Sequence, residues 1–143
     1  MDTGIALLNF GEPASATREA VVPYLERIFF DNADLEEFEN EAAARERSRS
    51  LAERRAPGLI EEYEEIGGSP LADQAFAQAE MVEDELHSRG HDVQTYVGMQ
   101  YTEPLIEDVA EQAMADGLEQ VIAVPVYPLS GPSTNILAVD DLE

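Results

Sequence analysis

The sequence predicts an open parallel α/β sheet, and three observations carry that reading. Three runs have strand length and strand composition: Gly4–Phe10, Val93–Tyr101 and Gln120–Val126. Long stretches of helical composition separate them, far longer than hairpin turns and suited to crossover connections. Each run also ends in the glycine, proline or polar residues that stop a strand.

In chain order, Gly4–Phe10 (GIALLNF) is apolar throughout, as expected of a strand buried on both faces, and it breaks at Gly11-Glu12-Pro13. Ser15 or Thr17 can cap a helix reaching about Phe30, with Val21, Val22, Leu25, Ile28 and Phe29 on one face and Pro23 in its early turns. Residues 34–55 are mostly Glu, Ala and Arg, with Leu35, Phe38 and Leu51 as their only large apolar side chains. They read as a helical but weakly anchored acidic excursion. A second helix is expected over Pro57–Ile66, stopping at Gly67-Gly68. A third starts at Ser69-Pro70 and closes on Gly90. Val93–Tyr101 alternates as a strand does. Thr102 then caps a helix that has Pro104 in its first turn and ends at Gly117. Gln120–Val126 is rich in β-branched residues, Tyr127–Thr134 reads as a loop, and a last helix begins at Asn135 and stops about two turns in. That stop reads as a chain cut short.

The 143 residues are the size of one domain, and 44% of them are hydrophobic, enough for a packed core. Charge is the outlying property: 31 acidic residues against 8 basic ones give a net charge of −23. All the basic residues are arginine. Such a surface repels phosphate backbones and anionic lipid, which excludes nucleic acid as a partner and membrane attachment by charge. The absence of cysteine excludes disulfides and thiolate chemistry. Acid spread over every helix without lysine suggests a salt-rich, halophilic cytoplasm, where screening relieves self-repulsion; a basic docking partner is the alternative. No basic leader precedes the first strand, and Ile5–Phe10 is far too short to span a bilayer, so the expectation is a cytoplasmic protein without membrane insertion.

Right-handed crossovers place the carboxyl ends of the three strands along one edge of the sheet, where open α/β sheets bind ligands. The candidate site therefore gathers Phe10–Ser15, Gln100–Pro104 and Tyr127–Asn135, with Gly67–Pro70 as a further wall. Both histidines, His87 and His91, fall at the opposite end of the strands and read as capping or surface residues. The acidic runs read as solvated helix faces rather than metal sites. Neither a phosphate-binding loop nor a nucleophile elbow occurs.

Four segments in order go further. The strand GIALLNFGEP, the junction RRAPGLIEEYEEIGGSPLADQ, the stretch YVGMQYTEP and the loop YPLSGPST resemble the N-terminal half of ferrochelatases. In that family the patterns are L-N-x-G-x-P, Y-x-x-I-G-G-x-S-P, G-x-x-Y-x-x-P and Y-P-x-x-S-x-S-T. The resemblance covers nearly the whole chain and implies an open three-layer doubly wound parallel sheet, one of two similar domains with a porphyrin between them. It implies an enzyme, a lyase of haem biosynthesis that inserts ferrous iron into protoporphyrin or coproporphyrin. Iron and porphyrin are then substrates, and no resident cofactor is implied. Carried over by position, the porphyrin-facing residues are Phe10, Tyr63, Ser69, Tyr101, Ser133 and Thr134. Phe10 and Tyr101 also read as strand-end core residues, and Ser69 as a helix cap before Pro70.

The departures from the family pattern matter as much. Gln100 stands where relatives often have a basic residue, the Phe29-Phe30 region lacks an arginine that some bacterial members have, and Phe10 cannot ligate iron as tyrosine could. The family's catalytic histidine and its acidic partner belong to a C-terminal half that this chain does not contain. No catalytic residue and no metal ligand is therefore assigned here, and the chain alone is expected to be inactive. A C-terminal half is the expected partner. A half-size chelatase working as a dimer of two copies, and a porphyrin- or haem-binding module without catalysis, are the alternatives. The short cobalt chelatases place a histidine just after the first strand, where this chain has Asn9-Phe10-Gly11-Glu12.

Overall fold

A computed structural model describes residues 2–33, 36–128 and 131–142, without the side chains of Ser133 and Asn135. The chain forms two compact units, one of residues 1–11 with 70–143 and the other of residues 12–69.

The first unit is the sheet. Strands β1 (Thr3–Asn9), β2 (Val93–Met99) and β3 (Gln120–Pro125) are parallel, in the order β2-β1-β3. The register pairs Ile5 with Thr95 and Ile122, and Leu7 with Val97 and Val124. Side chains alternate between the two faces. On one face Ile5, Leu7, Val93, Val97 and Met99 pack against Ala75 and Ala79 of the helix Leu71–Ser88. On the other, Ala6 and Leu8 pack with Ile106 and Val109 of the helix Ile106–Ala115 and with Ala138 of the short helix Leu137–Asp140. Helices on both faces of a parallel sheet make the expected three layers, and they explain why β1 is apolar at nearly every position. Gly98 allows the close approach of β2 to the second face, since a Cβ there would lie 3.1 Å from Ile106 Cγ1 and 3.3 Å from its Cα.

The second unit is helical. Helix α1 (Arg18–Asp31) starts where Thr17 accepts the Ala20 N–H, and it buries Val21, Val22, Tyr24 and Leu25. Helix α2 (Glu41–Glu65) packs against it and is capped by Asn40, whose Oδ1 accepts the Ala43 N–H at 2.9 Å. The expected start at Pro57 is not the start: the helix begins at Glu41 and runs through Pro57. The stripe Ala44, Ser48, Ala52, Ala56, one residue per turn, is its buried face. Ser48 satisfies its hydroxyl within the helix by donating to the Ala44 carbonyl at 2.8 Å.

The remaining helices are α3 (Leu71–Ser88), α4 (Ile106–Ala115) and α5 (Leu137–Asp140). The cap position of α3 is Pro70, one residue after Ser69. Helix α4 begins later than Thr102 because the chain first returns the Pro104 carbonyl to the Met99 N–H, at 2.8 Å, across a cis Glu103–Pro104 peptide. Its first turn is then capped by Asp108, which accepts the Leu105 N–H at 3.3 Å. Before α5 a single wide turn spans Pro132–Ile136, part of the segment expected as loop. Among the described residues no helix is long and apolar enough to cross a membrane.

Candidate functional site

The strand ends of the sheet unit carry the predicted edge. Asn9 closes β1 and Met99 closes β2, and the next rungs hold the two segments together: the Gln100 N–H donates to Asn9 O at 2.9 Å and the Tyr101 N–H to Phe10 O at 3.2 Å. This rung brings Phe10 against Tyr101 edge-to-face, ring centroids 4.7 Å apart at 64°. Gly11 turns the chain away at φ 94°, where a Cβ would lie 2.9 Å from Thr102 Cγ2 and 3.2 Å from Met99 Cβ. Only glycine meets both demands. The L-N-x-G pattern thus has a physical cause in this chain.

Beneath that aromatic pair lies a buried polar group. Gln100 is fully buried, and its Oε1 accepts a hydrogen bond from the Tyr127 hydroxyl. Burial, then the neighbouring Tyr101 and Asp141, pushes the Tyr127 phenol above its ordinary value and keeps it protonated, as a donor must be. The phenol satisfies only the carbonyl of this amide; the Gln100 Nε2 is buried without a hydrogen-bond partner among the described residues. Asn9, also buried, places its side chain on the α3 face of β1 by the alternation of the strand.

The six predicted residues divide between the units. Phe10 and Tyr101 are brought together, Phe10 half-buried and Tyr101 buried. Thr134 sits in the wide turn before α5, where its N–H and its hydroxyl both donate to the Gly131 carbonyl, at 3.2 and 3.1 Å. Ser133 is in the same turn, and its side chain lies outside the described residues. Tyr63 and Ser69 belong to the helical unit. Tyr63 lies in the last turns of α2, and its carbonyl accepts the Gly68 N–H at 2.9 Å. Burial, with the charge of Glu12 second, pushes its phenol up. Ser69 is half-buried between Gly68 and Pro70.

Two residues, Tyr127 and Glu12, lie in segments that the sequence places at the edge, but it does not single them out as site components. Tyr127 was only a loop residue, and its partnership with Gln100 required the register of β1 to both neighbours. Glu12, 8% exposed, is a buried carboxylate beside Tyr63, hidden in the sequence by so many exposed acids. The histidines stay away from the edge. His87 donates from Nε2 to the Val93 carbonyl at 2.8 Å, and the His91 N–H donates to the Leu86 carbonyl at 3.0 Å, closing α3. Among the described residues no group of three or more His, Asp or Glu could hold a metal ion. A hollow of about 510 Å³ flanks the outer edge of β2, lined by Phe76, Thr95, Tyr96, Val97 and Pro104, and none of the six predicted residues reaches it.

Residues 2–143 match the ferrochelatase family profile. The chain belongs to the ferrochelatase family. It is 36% identical over 133 residues to a ferrochelatase of Synechococcus sp. (strain JA-3-3Ab), covering 92% of this chain and 38% of that protein. With a ferrochelatase of Aquifex aeolicus (strain VF5) the identity is 32% over 144 residues, covering all of this chain and 44% of that one. With the mitochondrial ferrochelatase of Bos taurus it is 35% over 136 residues, covering 92% and 31%. The chain therefore spans less than half the length of these relatives. Its ferrochelatase sheet carries the L-N-x-G and Y-x-x-P patterns at the ends of β1 and β2, where the loops along one sheet edge begin.

Proposed function

We propose that this chain acts as the N-terminal half of a ferrochelatase, supplying one wall of the porphyrin site in the insertion of ferrous iron. The family match over residues 2–143 is the observation that carries the reading. The Phe10–Tyr101 pair supports it, because a flat macrocycle is recognised by aromatic faces at a rigid strand edge. Phe10, Tyr63, Ser69, Tyr101, Ser133 and Thr134 are the proposed porphyrin contacts. The rings meet the macrocycle and the hydroxyls donate to its carboxylates.

Insertion removes two pyrrole N–H protons as the metal enters, so a base must sit over one face of the ring. Phe10 offers no lone pair, and the raised phenols of Tyr63 and Tyr127 hold their own protons near neutrality. This half therefore binds and orients the ring, and a C-terminal half supplies the base. Iron and porphyrin are substrates, and the chain needs no resident cofactor. We further place it in a salt-rich cytoplasm, on the strength of its net charge of −23 without a lysine; its thermal midpoint should rise steadily with potassium chloride.

The test is spectroscopic. The chain is mixed with protoporphyrin, and separately with coproporphyrin, in molar potassium chloride without oxygen, and ferrous iron is then added. The expected result is a shifted free-base spectrum that persists after the iron is added and is weakened by Tyr101→Ala. Collapse to a metalloporphyrin spectrum above the protein-free rate would show that these 143 residues catalyse insertion themselves, as a half-size chelatase would. An unshifted spectrum would remove the porphyrin wall.

A further inference from the structure

The hollow beside β2 lies along one outer edge of the sheet, where the strand order gives β2 no neighbour. The N–H and C=O of one residue point to the same side of a strand, and the side alternates. The Gln100 N–H turns inward, to Asn9 O, so Thr95, Val97 and Met99 turn theirs outward. Two of these three positions are filled. The Thr95 N–H donates to Glu83 Oε2 at 2.7 Å. Met99 makes an isolated parallel bridge to Leu105, with its N–H on the Pro104 carbonyl at 2.8 Å. Val97, between them, has no such partner among the described residues, and it lines the hollow. The edge is thus closed to a long added strand at both ends and open for a single rung in the middle.

The walls of the hollow are apolar below and acidic above. On the α3 side Phe76, half exposed, and Ala79 stand beside Glu80 and Glu83. On the α4 side Pro104 and Val109 stand beside Asp108. Asp116 braces that second side, accepting the Tyr96 hydroxyl at 2.7 Å and Gln112 Nε2 at 2.9 Å. Glu83 is engaged only through Oε2, by Thr95, and Asp108 only through Oδ2, by the Leu105 N–H. The other oxygen of each, and both oxygens of Glu80, have no partner among the described residues, and no arginine lines the hollow.

The chemistry of an occupant follows from these positions. Consecutive side chains of a strand point to opposite faces. A segment that enters the Val97 rung therefore sends one side chain towards Glu80 and Glu83 and the next towards Asp108. Two consecutive basic residues answer both sides, with their stems on Phe76 and Pro104 and their charged ends on the carboxylates. We propose that the β2 edge at Val97 is a docking site for an extended segment of a partner protein that carries two adjacent basic residues, held by one backbone rung. A second copy of this chain does not supply that segment. Its one adjacent pair, Arg54-Arg55, lies inside α2, where the backbone is bonded within the helix. None of the proposed porphyrin contacts lines the hollow, so the site stands apart from the ring wall.

The probe is a fluorescent tetrapeptide with blocked ends, Val-Arg-Arg-Val, titrated by anisotropy in molar potassium chloride. A chain of net charge −23 attracts any cation in dilute buffer, whereas at molar salt the Debye length falls to about 3 Å and only close contacts persist. Binding tighter than about 1 mM is expected, against none for Val-Glu-Glu-Val. Glu80→Gln with Asp108→Asn should weaken it at least about tenfold, the asparagine keeping an oxygen for the Leu105 N–H. N-methylation at one arginine should abolish binding and at the other should not, because alternation turns only one of two neighbouring N–H groups to the edge. In the free chain the Val97 amide should exchange faster than those of Thr95 and Met99. Bound peptide should slow it at least about tenfold and leave the inward amide of Tyr96 unchanged.

Absence of binding in molar potassium chloride would overturn the site. So would undiminished binding to the double variant, or an equal effect of the two N-methylations. The N-methylated pair needs no variant, so it decides the question even where the double variant fails to fold. Displacement of the tetrapeptide by an equal concentration of argininamide would replace the strand-docking site with a pocket for small cations. Protection of Val97 in the chain alone that disappears on dilution would give the edge to a second copy instead.

Discussion

The sheet unit and the helical unit are built from different materials. In the first, Leu8, Ile106, Val109, Val97 and Met99 are all but fully buried, and three layers interlock around β1. In the second, α2 fully buries only Ala44, Ser48, Ala52 and Ala56, and arginines and glutamates make up most of the rest of its length. Large side chains gain stability from the area they remove from water. Small ones gain it from letting two helix backbones approach, so the same residue volume matters with opposite sign in the two units. A sheet core should suffer from truncation, and a small-residue stripe from enlargement.

The largest effect expected is therefore in the sheet. Leu8→Ala removes a side chain with no exposure, between α4 and α5, and should cost about 2–5 kcal/mol by chemical denaturation. Exchange of the β1 and β2 amides should rise together, because β1 joins both other strands. A loss below about 1 kcal/mol would mean that the second face collapses easily around the gap.

Ala52→Leu sharpens the comparison from the other side. It adds bulk at a position with no exposure on the α2 stripe, and should cost about 1–3 kcal/mol by overpacking. Its exchange signature should be confined to α1 and α2. If Ala52→Leu instead stabilises the chain, the stripe contains a void, and the helical unit is an underpacked version of the sheet unit.

Smaller again is Tyr127→Phe, which leaves the buried Gln100 carbonyl without its donor, at about 1–2 kcal/mol near neutral pH. The pH dependence has a definite sign. The Tyr127 phenol is raised above the ordinary 10.0, so above pH 10 the unfolded chain has released a proton that the folded chain still holds. The unfolded state then binds fewer protons, and stability falls as pH rises past 10. Phenylalanine removes this contribution and should flatten the fall. Some slope should persist, since Tyr63 and Tyr96 are raised as well. An equally steep fall in the variant would mean that Tyr127 is no harder to ionise folded than unfolded.

The same contrast governs what could be read from the sequence. The strands were legible because Gly4–Phe10 and Gln120–Val126 are apolar or β-branched in short blocks, and each ended within a residue or so of its expected limits. Helix α2 was half-legible. Its buried alanines look like helix filler, and Pro57 looks like a start signal although the helix passes through it. Of the candidate site, Phe10 and Tyr101 could be placed at strand ends by counting alone. The Gln100–Tyr127 bond joins residues 27 apart through a strand that lies between theirs, so no local pattern contains it. The strand-end argument reached the segments of Ser69, Ser133 and Thr134 without singling these residues out, and Tyr63 came from the motif resemblance alone.

The smallest effect expected decides what holds the helical unit. Arg55 pairs with Glu62 at 3.0 Å, both side chains about half exposed, and Arg47 pairs with Glu36 at 3.3 Å in a similar setting. Exposed pairs of this kind are worth about 0–1 kcal/mol and fade with salt. Arg55→Gln should therefore shift the midpoint only slightly in dilute buffer, and not at all in molar potassium chloride, where the penalty of Ala52→Leu should persist unchanged. Two costs that were equal in dilute buffer and fell together with salt would reverse the assignment. The ion pair within α2, rather than the alanine stripe, would then contribute most to the stability of the helical unit.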